Sequence, residues 1–253
     1  ALNSLWCSGA GVLRGVILAA GDGGSLRPLT LETPKILLEV AGHPLIHYPI
    51  AAMHDAGISD IAVVVGYMSE QARSVLLSDF PSVTIIMDED YEGENASSIL
   101  ASRSFVAYDS FVVAMGDHPI AADIVSSLLA NESAGPLLRV DRLTRFPTQT
   151  DDATRVMVDS EGYISAIGKG IEEWNAVDTG VFRMNLDVVE AVDHLVGRHG
   201  IGVGITDAVR FMGLDGPGFA ACDVSGTLWG DVDTLDDYHF MDRLLRSVHG
   251  HDL

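Results

Sequence analysis

Arg14-Gly15-Val16-Ile17-Leu18-Ala19-Ala20-Gly21-Asp22-Gly23-Gly24-Ser25-Leu26-Arg27-Pro28-Leu29-Thr30-Leu31-Glu32-Thr33-Pro34-Lys35 is the stretch on which the fold turns. An apolar run over 16–20 ends in a cluster of glycines and small residues, and a proline-punctuated segment then closes on Lys35. The pattern predicts a buried strand feeding a backbone-lined loop. Glycine removes the Cβ that would keep a polyphosphate away from main-chain N–H groups, and lysine supplies a point charge for a phosphate oxygen. The loop is not a Walker loop, and glycines at 21, 23 and 24 miss the dinucleotide fingerprint. A glycine cluster alone also reads as a plain turn.

Working outward, residues 36–40 read as a short extended piece and 44–56 have helical apolar spacing. Strands are expected at 60–66, 83–87 and 110–115, with helices at 69–77 and 97–105. This alternation predicts an α/β fold: a Rossmann-like, mixed but mainly parallel sheet with helices on both faces and ligands beyond the strands' carboxyl ends. From residue 136 short alternating runs at 136–140, 154–158, 163–167 and 176–184 point to a more antiparallel section. Asp159-Ser160-Glu161-Gly162 reads as its hairpin turn. Helices are expected at 186–196, 206–212 and 235–248, and a strand at 218–223. The expected organisation is a tail over 1–13 and one domain over 14–253. Within it, 14–135 would be the nucleotide-binding half and 136–253 the acceptor-binding half.

Composition narrows the function classes. The 253 residues are 47% hydrophobic and 20% charged, which describes a globular chain. No apolar run approaches the roughly 20 residues of a membrane helix, and the start lacks a signal-peptide pattern. Two cysteines, Cys7 and Cys222, make no disulfide framework and fit a reducing cytoplasm, the expected location. A net charge of −21 argues against nucleic-acid binding, so nucleotide binding must rest on local cations. There are only two lysines, Lys35 and Lys169. One closes the glycine loop.

Two acidic clusters carry the remaining chemistry. Asp117 follows an apolar strand; it either caps a helix starting near Pro119 or faces a ligand. In Trp229-Gly230-Asp231-Val232-Asp233-Thr234, Asp233 suits a helix N-cap and Asp231 does not. Brought together beside a triphosphate, Asp117, Asp231 and Asp233 would hold Mg²⁺ through carboxylates, phosphate oxygens and water.

The string Leu-Ala-Ala-Gly-x-Gly, Leu-x-Pro-Leu-Thr, Pro-Lys and Gly-x-Pro-Leu-Ile (42–46) resembles the signature of the sugar-phosphate nucleotidyltransferases. Met115-Gly116-Asp117-His118, Ile167-Gly168-Lys169 with Ala176-Val177-Asp178-Thr179-Gly180, and Leu228–Thr234 are most similar to the inositol-1-phosphate cytidylyltransferases. In that subgroup Glu94-Asn95-Ala96-Ser97-Ser98 corresponds to the base-facing loop. The resemblance implies nucleotide contacts at Ala19, Ala20, Gly21, Gly23, Gly24, Ser25, Asn95 and Ser97. It implies metal ligation at Asp117 and Asp231, Lys35 on the triphosphate, and Lys169 on the incoming phosphate monoester. Asp178, Thr179 and Gly180 would face the acceptor. Plainer alternatives are a solvated turn for Lys169 and a strand-end hydrogen bond for Asp178; His118 reads as a loop histidine. One departure stands out: the family usually has arginine where this chain has Ser25, and Arg27 is the nearest replacement.

The implied reaction is Mg²⁺-dependent transfer of CMP from CTP to inositol 1-phosphate, giving CDP-inositol and pyrophosphate. A phosphate monoester, with a second pKa of about 6, is already anionic at neutral pH and needs no general base. Alternatives are another nucleotide and sugar-1-phosphate pair, such as UTP or GTP with a hexose or N-acetylmuramic acid 1-phosphate, or a nucleotide-binding protein impaired by Ser25. Proteins of the subgroup are often joined to a membrane-embedded phosphatidyltransferase that consumes CDP-inositol for a dialkylated inositol phosphate solute. The alternatives for this chain are the soluble half of such a longer protein, with a fused or partner phosphatidyltransferase, or a stand-alone enzyme.

Overall fold

The computed structural model describes residues 13–106, 110–133, 135–144, 153–215 and 218–249. The expected tail lies outside them except for Leu13, as does Cys7. At the centre is β1 (Arg14–Ala19), every residue of which after Arg14 is buried. It pairs in parallel with β4 (Asp60–Val65) on one side and β6 (Phe111–Met115) on the other. β5 (Thr84–Met87) extends the parallel set beyond β4.

β10 (Ala176–Met184) is inserted antiparallel between β6 and β7 (Leu137–Asp141), and β11 (Ala220–Asp223) lies parallel to β7 at the edge. β8 (Arg155–Val158) and β9 (Ile164–Gly168) form an antiparallel arm joined to β10. The nine-stranded sheet is thus mixed and mainly parallel, and β10 ties the strands of the first 135 residues to those that follow. The Asp159 carboxylate accepts from the N–H groups of Glu161 and Tyr163, both at 2.9 Å, and Gly162 supplies φ +89°, as the hairpin reading requires.

Strand alternation distributes the core over both faces. Val16, Leu18, Phe111 and Val113 meet α3 (Ala96–Ala101), α6 (Leu186–His199) and α7 (Ile205–Asp215). Ile17, Ala19, Val63 and Val112 meet α1 (His47–Asp55), α2 (Ser69–Asp79) and α5 (Ala122–Leu129). Each fully buried valine, isoleucine or phenylalanine among them contributes roughly 1.5–3 kcal/mol. Helices on both faces are therefore a consequence of strands buried on both sides.

A third, smaller cluster lies outside the sheet. Leu26, Leu38, Val40 and Leu45 pack against Val232, Met241 and Leu245, the last two on α8 (Leu235–His249). Asp242 of α8 accepts from Ala41 N–H at 2.8 Å, and the Tyr238 hydroxyl donates to Glu39 O at 2.9 Å. These contacts hold the loop after β1 against the segment preceding α8.

Two local expectations differ. Residues 36–40 are not uniformly extended: Lys35–Leu37 forms a 3-10 turn, and only β2 (Glu39–Val40) is strand, paired with β3 (His43–Pro44). The helix expected over 97–105 is two, α3 and α4 (Arg103–Val106), divided at Ser102, whose hydroxyl donates to Ile99 O at 2.7 Å. A serine that bonds back to the preceding turn competes with continued helix.

Candidate active site

Parallel strands bring their carboxyl ends to one edge, and β10, running the other way, brings its amino end there. The glycine loop leaves β1 at this edge, Asp117 and His118 follow β6, and Asp178 lies near the start of β10. The segment 228–234 is drawn in by main-chain bonds. Gly230 N–H donates to Pro119 O and Ala121 N–H to Leu228 O, both at 3.0 Å. Trp229 pairs with Ile120, and its indole N–H donates to Asp141 at 2.9 Å. Asp231 is thereby fixed beside Asp117 and His118, more than 100 residues away in sequence.

Lys35 is the hub of the charges. Its buried ammonium donates to Asp117 Oδ2 and, at 2.6 Å, to Asp233 Oδ1. Burial disfavours the ammonium, yet Asp117, Asp233 and Asp231 outweigh it and hold the pKa above the usual lysine range. Asp117 is likewise kept below the carboxylate range, because Lys35 and His118 overcome the effect of burial. Asp231 is pushed up by burial, and the negative neighbours Asp117 and Asp233 add to this against the opposing pull of His118. Its Oδ1 is inaccessible and makes no hydrogen bond; His118 Nε2 lies 3.3 Å away.

His118 is buried, with Nδ1 at 3.0 Å from Thr179 O and Nε2 at 3.7 Å from Asp117 Oδ1. Burial alone would lower its pKa, but Asp231 and Asp117 raise it to about 10. A loop-histidine reading is therefore corrected: His118 belongs to the charged cluster. One ligand atom each from Asp117, His118 and Asp231 lies within 4.8 Å of the others, a spacing one cation could span. The residues fit a divalent ion, since two carboxylates converge and one buried oxygen lacks a partner.

A cleft of ≈ 210 Å³ opens over this cluster and is lined by Asp117, His118, Lys169, Asp178, Asp231 and Asn95, with Phe182 and Trp229 among its apolar walls. Burial pushes Asp178 up to about 6, and its carboxylate accepts from Gly180 N–H at 2.7 Å. The pairing of β10 with β7 slips between Asp178 and Phe182, with Gly180 at φ +74°. Such a bulge redirects side chains at the strand end.

The model of the MobA-like NTP transferase domain matches residues 15–150. The chain belongs to that family. It is a nucleotidyltransferase with the mixed sheet that the family resemblance implied. A bifunctional IPC transferase and DIPP synthase of Aquifex aeolicus is 31% identical over 88% of this chain and 49% of its own length. Its counterpart in Rubrobacter xylanophilus is 29% identical over 90% of this chain and 51% of its own length. The chain spans about half the length of these curated relatives. Among solved structures, the inositol-1-phosphate CTP transferase of T. maritima shares the fold with a TM-score of 0.78 at 24% identity, covering 92% of this chain and 97% of that one.

Set against this MobA-like domain, the expected site residues separate into groups. Asp117, Asp231, Asp178, Gly180, Lys169 and Asn95 line one cleft, and Asp233 lines it while holding Lys35. Neither aspartate is a helix cap. The N-cap of α5 is Ala121, and Thr234 forms a reciprocal pair with Asp237 at the start of α8. Thr179 is corrected: it is fully buried, and its hydroxyl donates to Arg139 O at 3.0 Å, away from any acceptor. Ser97 donates to Asp88 at 2.8 Å under α3, and Asn95 accepts from Ile205 N–H at 2.8 Å.

In the loop, Ala20 O accepts from Tyr67 N–H at 2.9 Å, and Gly23 O accepts from the Thr30 hydroxyl at 2.9 Å. Ala19 is buried, whereas Gly21, Gly24 and Ser25 are exposed. Arg27 is paired at 3.0 Å with Asp22, both side chains about half exposed (52% and 51%), so its guanidinium points along the loop and not into the charged cluster. Sequence reasoning missed the role of His118. Its position directly after Asp117 at a strand end was the available signal.

Proposed function

We propose that this chain transfers CMP from CTP to inositol 1-phosphate with the help of Mg²⁺, giving CDP-inositol and pyrophosphate. The observation that carries the reading is the convergence on one cleft of a carboxylate pair suited to a cation, two lining aspartates bonded to the buried Lys35, and the exposed Lys169 with Asp178. The IPC transferase name of the relatives supports the choice of substrates. Asp117 and Asp231 would hold the cation, which when bound would neutralise charge on the phosphates.

The chain's own groups do the rest by position and charge. Main-chain N–H groups of the glycine loop would cradle the triphosphate at the end of β1. Lys35 would give up one of its carboxylates and offset the negative charge that gathers as pyrophosphate departs. Lys169 would hold the incoming monoester, and Asp178 would orient an acceptor hydroxyl. The phosphate monoester is itself the nucleophile, so no side chain has to remove a proton from it.

The relatives carry a second named activity, DIPP synthase, and a phosphatidyltransferase, joined or separate, is the proposed consumer of the product. The test is pyrophosphate release with Mg²⁺ over a grid of CTP, UTP, GTP, ATP and dTTP against inositol, glucose, mannose and N-acetylmuramic acid 1-phosphates and phosphocholine. Turnover confined to CTP with inositol 1-phosphate is expected. Turnover with another pair would keep the chemistry and replace the substrates; none with any pair would overturn the reading.

A further inference from the structure

Beside the two aspartates, the buried cluster presents a nitrogen whose direction is set by the backbone. His118 Nδ1 lies 3.0 Å from Thr179 O, and a carbonyl can only accept, so Nδ1 carries the hydrogen. A cation that displaces the Nε2 proton would meet the lone pair there, which is directed toward Asp117 Oδ1 and Asp231 Oδ1, at 3.7 and 3.3 Å. An imidazole that donates one ring N–H to a carbonyl is the usual arrangement of a metal-binding histidine.

The position of the ring is built in. Gly180 has φ +74°, and a Cβ there would stand 2.5 Å from His118 Nδ1, so glycine leaves room for the ring at this spot. On the other side, the inaccessible Asp231 Oδ1 has no hydrogen bond. With metal–ligand bonds of roughly 2.0–2.2 Å, neighbouring ligand atoms around one ion sit about 3 Å apart, close to the spacing seen here.

We propose that His118 Nε2 is the third protein ligand of the cation held by Asp117 and Asp231, and that the cleft therefore binds a transition ion such as Mn²⁺ more tightly than Mg²⁺. Mg²⁺ favours oxygen ligands and retains its water, whereas imidazole suits the transition ions. The inference rests on the cation site of the proposed function and adds a nitrogen donor to it.

Mn²⁺ alone, titrated into the nucleotide-free full chain and followed by electron paramagnetic resonance, tests it without any turnover. Electron spin-echo modulation from a directly bound ¹⁴N is expected in the unaltered protein. In His118→Gln that modulation should vanish and Mn²⁺ affinity fall by about tenfold or more, with a smaller change for Mg²⁺. Gly180→Ala, which pushes the ring aside, should weaken the modulation too. Mn²⁺ that binds, is lost in Asp231→Asn and shows no ¹⁴N modulation would overturn the histidine ligand and leave the aspartate site standing. Binding undiminished by Asp231→Asn, or no binding at millimolar Mn²⁺, would overturn both.

Discussion

The glycine loop and the buried charge cluster lie at the same edge of the sheet but are made in different ways. The loop is local: Asp22 accepts from Gly24 N–H at 3.0 Å and pairs with Arg27, and Thr30 closes back on Gly23. A Cβ on Gly23 would come within 2.9 Å of the Lys35 and Thr30 side chains, so this glycine serves the closing of the loop itself. The cluster is nonlocal: Lys35, Asp117, Asp231 and Asp233 come from three separate parts of the chain. Exposed charges in the loop are screened by water, whereas the cluster's charges act where screening is weak. The first region is therefore expected to tolerate change, and the second is not.

The largest expected effect comes from breaking the cluster at its carboxylates. Asp117→Ala and Asp231→Ala should each lower Mg²⁺-dependent pyrophosphate release by more than about 10³-fold, since charge stabilisation at such sites supplies several kcal/mol. Circular dichroism should show a folded protein. Full activity in either variant would remove the cation site from the mechanism.

Lys35→Met is next, with an expected loss of about 10²–10³ in kcat. Removing a cation from among three aspartates should at the same time tighten Mn²⁺ binding, measured by titration. Weaker Mn²⁺ binding would mean that Lys35 organises the carboxylates and does not compete with the ion.

In the loop, Ser25→Arg should raise turnover by about tenfold or more by restoring a donor the family usually has. A preorganised donor contributes on the order of 3 kcal/mol at most sites of this kind. Unchanged steady-state kinetics would show that the loop is complete as it stands. Smallest of all, Arg27→Ala should shift stability by no more than about 1 kcal/mol and leave the nucleotide KM unaltered, as for other exposed pairs. A rise in KM would return Arg27 to the triphosphate and erase the contrast between the two regions.

Thr179 tests where the acceptor wall ends. Its hydroxyl bonds to Arg139 O between adjacent strands, so Thr179→Val should cost about 1–3 kcal/mol in denaturant unfolding and leave the acceptor KM unchanged. Asp178→Asn, one residue earlier and facing the cleft, should raise that KM instead.

Much was legible in the sequence wherever a local rule decides. The run 16–20 reads as a buried strand, the turn at 159–162 carries its own glycine, Lys35 closes the loop after that strand, and Asp117 stands at a strand end, where ligands bind. The misreadings share a cause. Thr179 sits between Asp178 and Gly180 in a motif, but the β10 bulge turns alternate side chains to different sides. His118 looks like any loop histidine until Thr179 O and Asp231 are placed against it.

By itself, then, the sequence determined the order of strands and helices, the glycine loop and the residue types able to bind phosphate and cation, because hydrophobic period and backbone freedom act over a few residues. Only the tertiary structure decided which aspartate meets Lys35, which meets His118, and that Arg27 stays outside. Those choices depend on the insertion of β10 beside β6 and on the bonds from 119–121 to 228–230, contacts between segments whose separation along the chain carries no periodic signal.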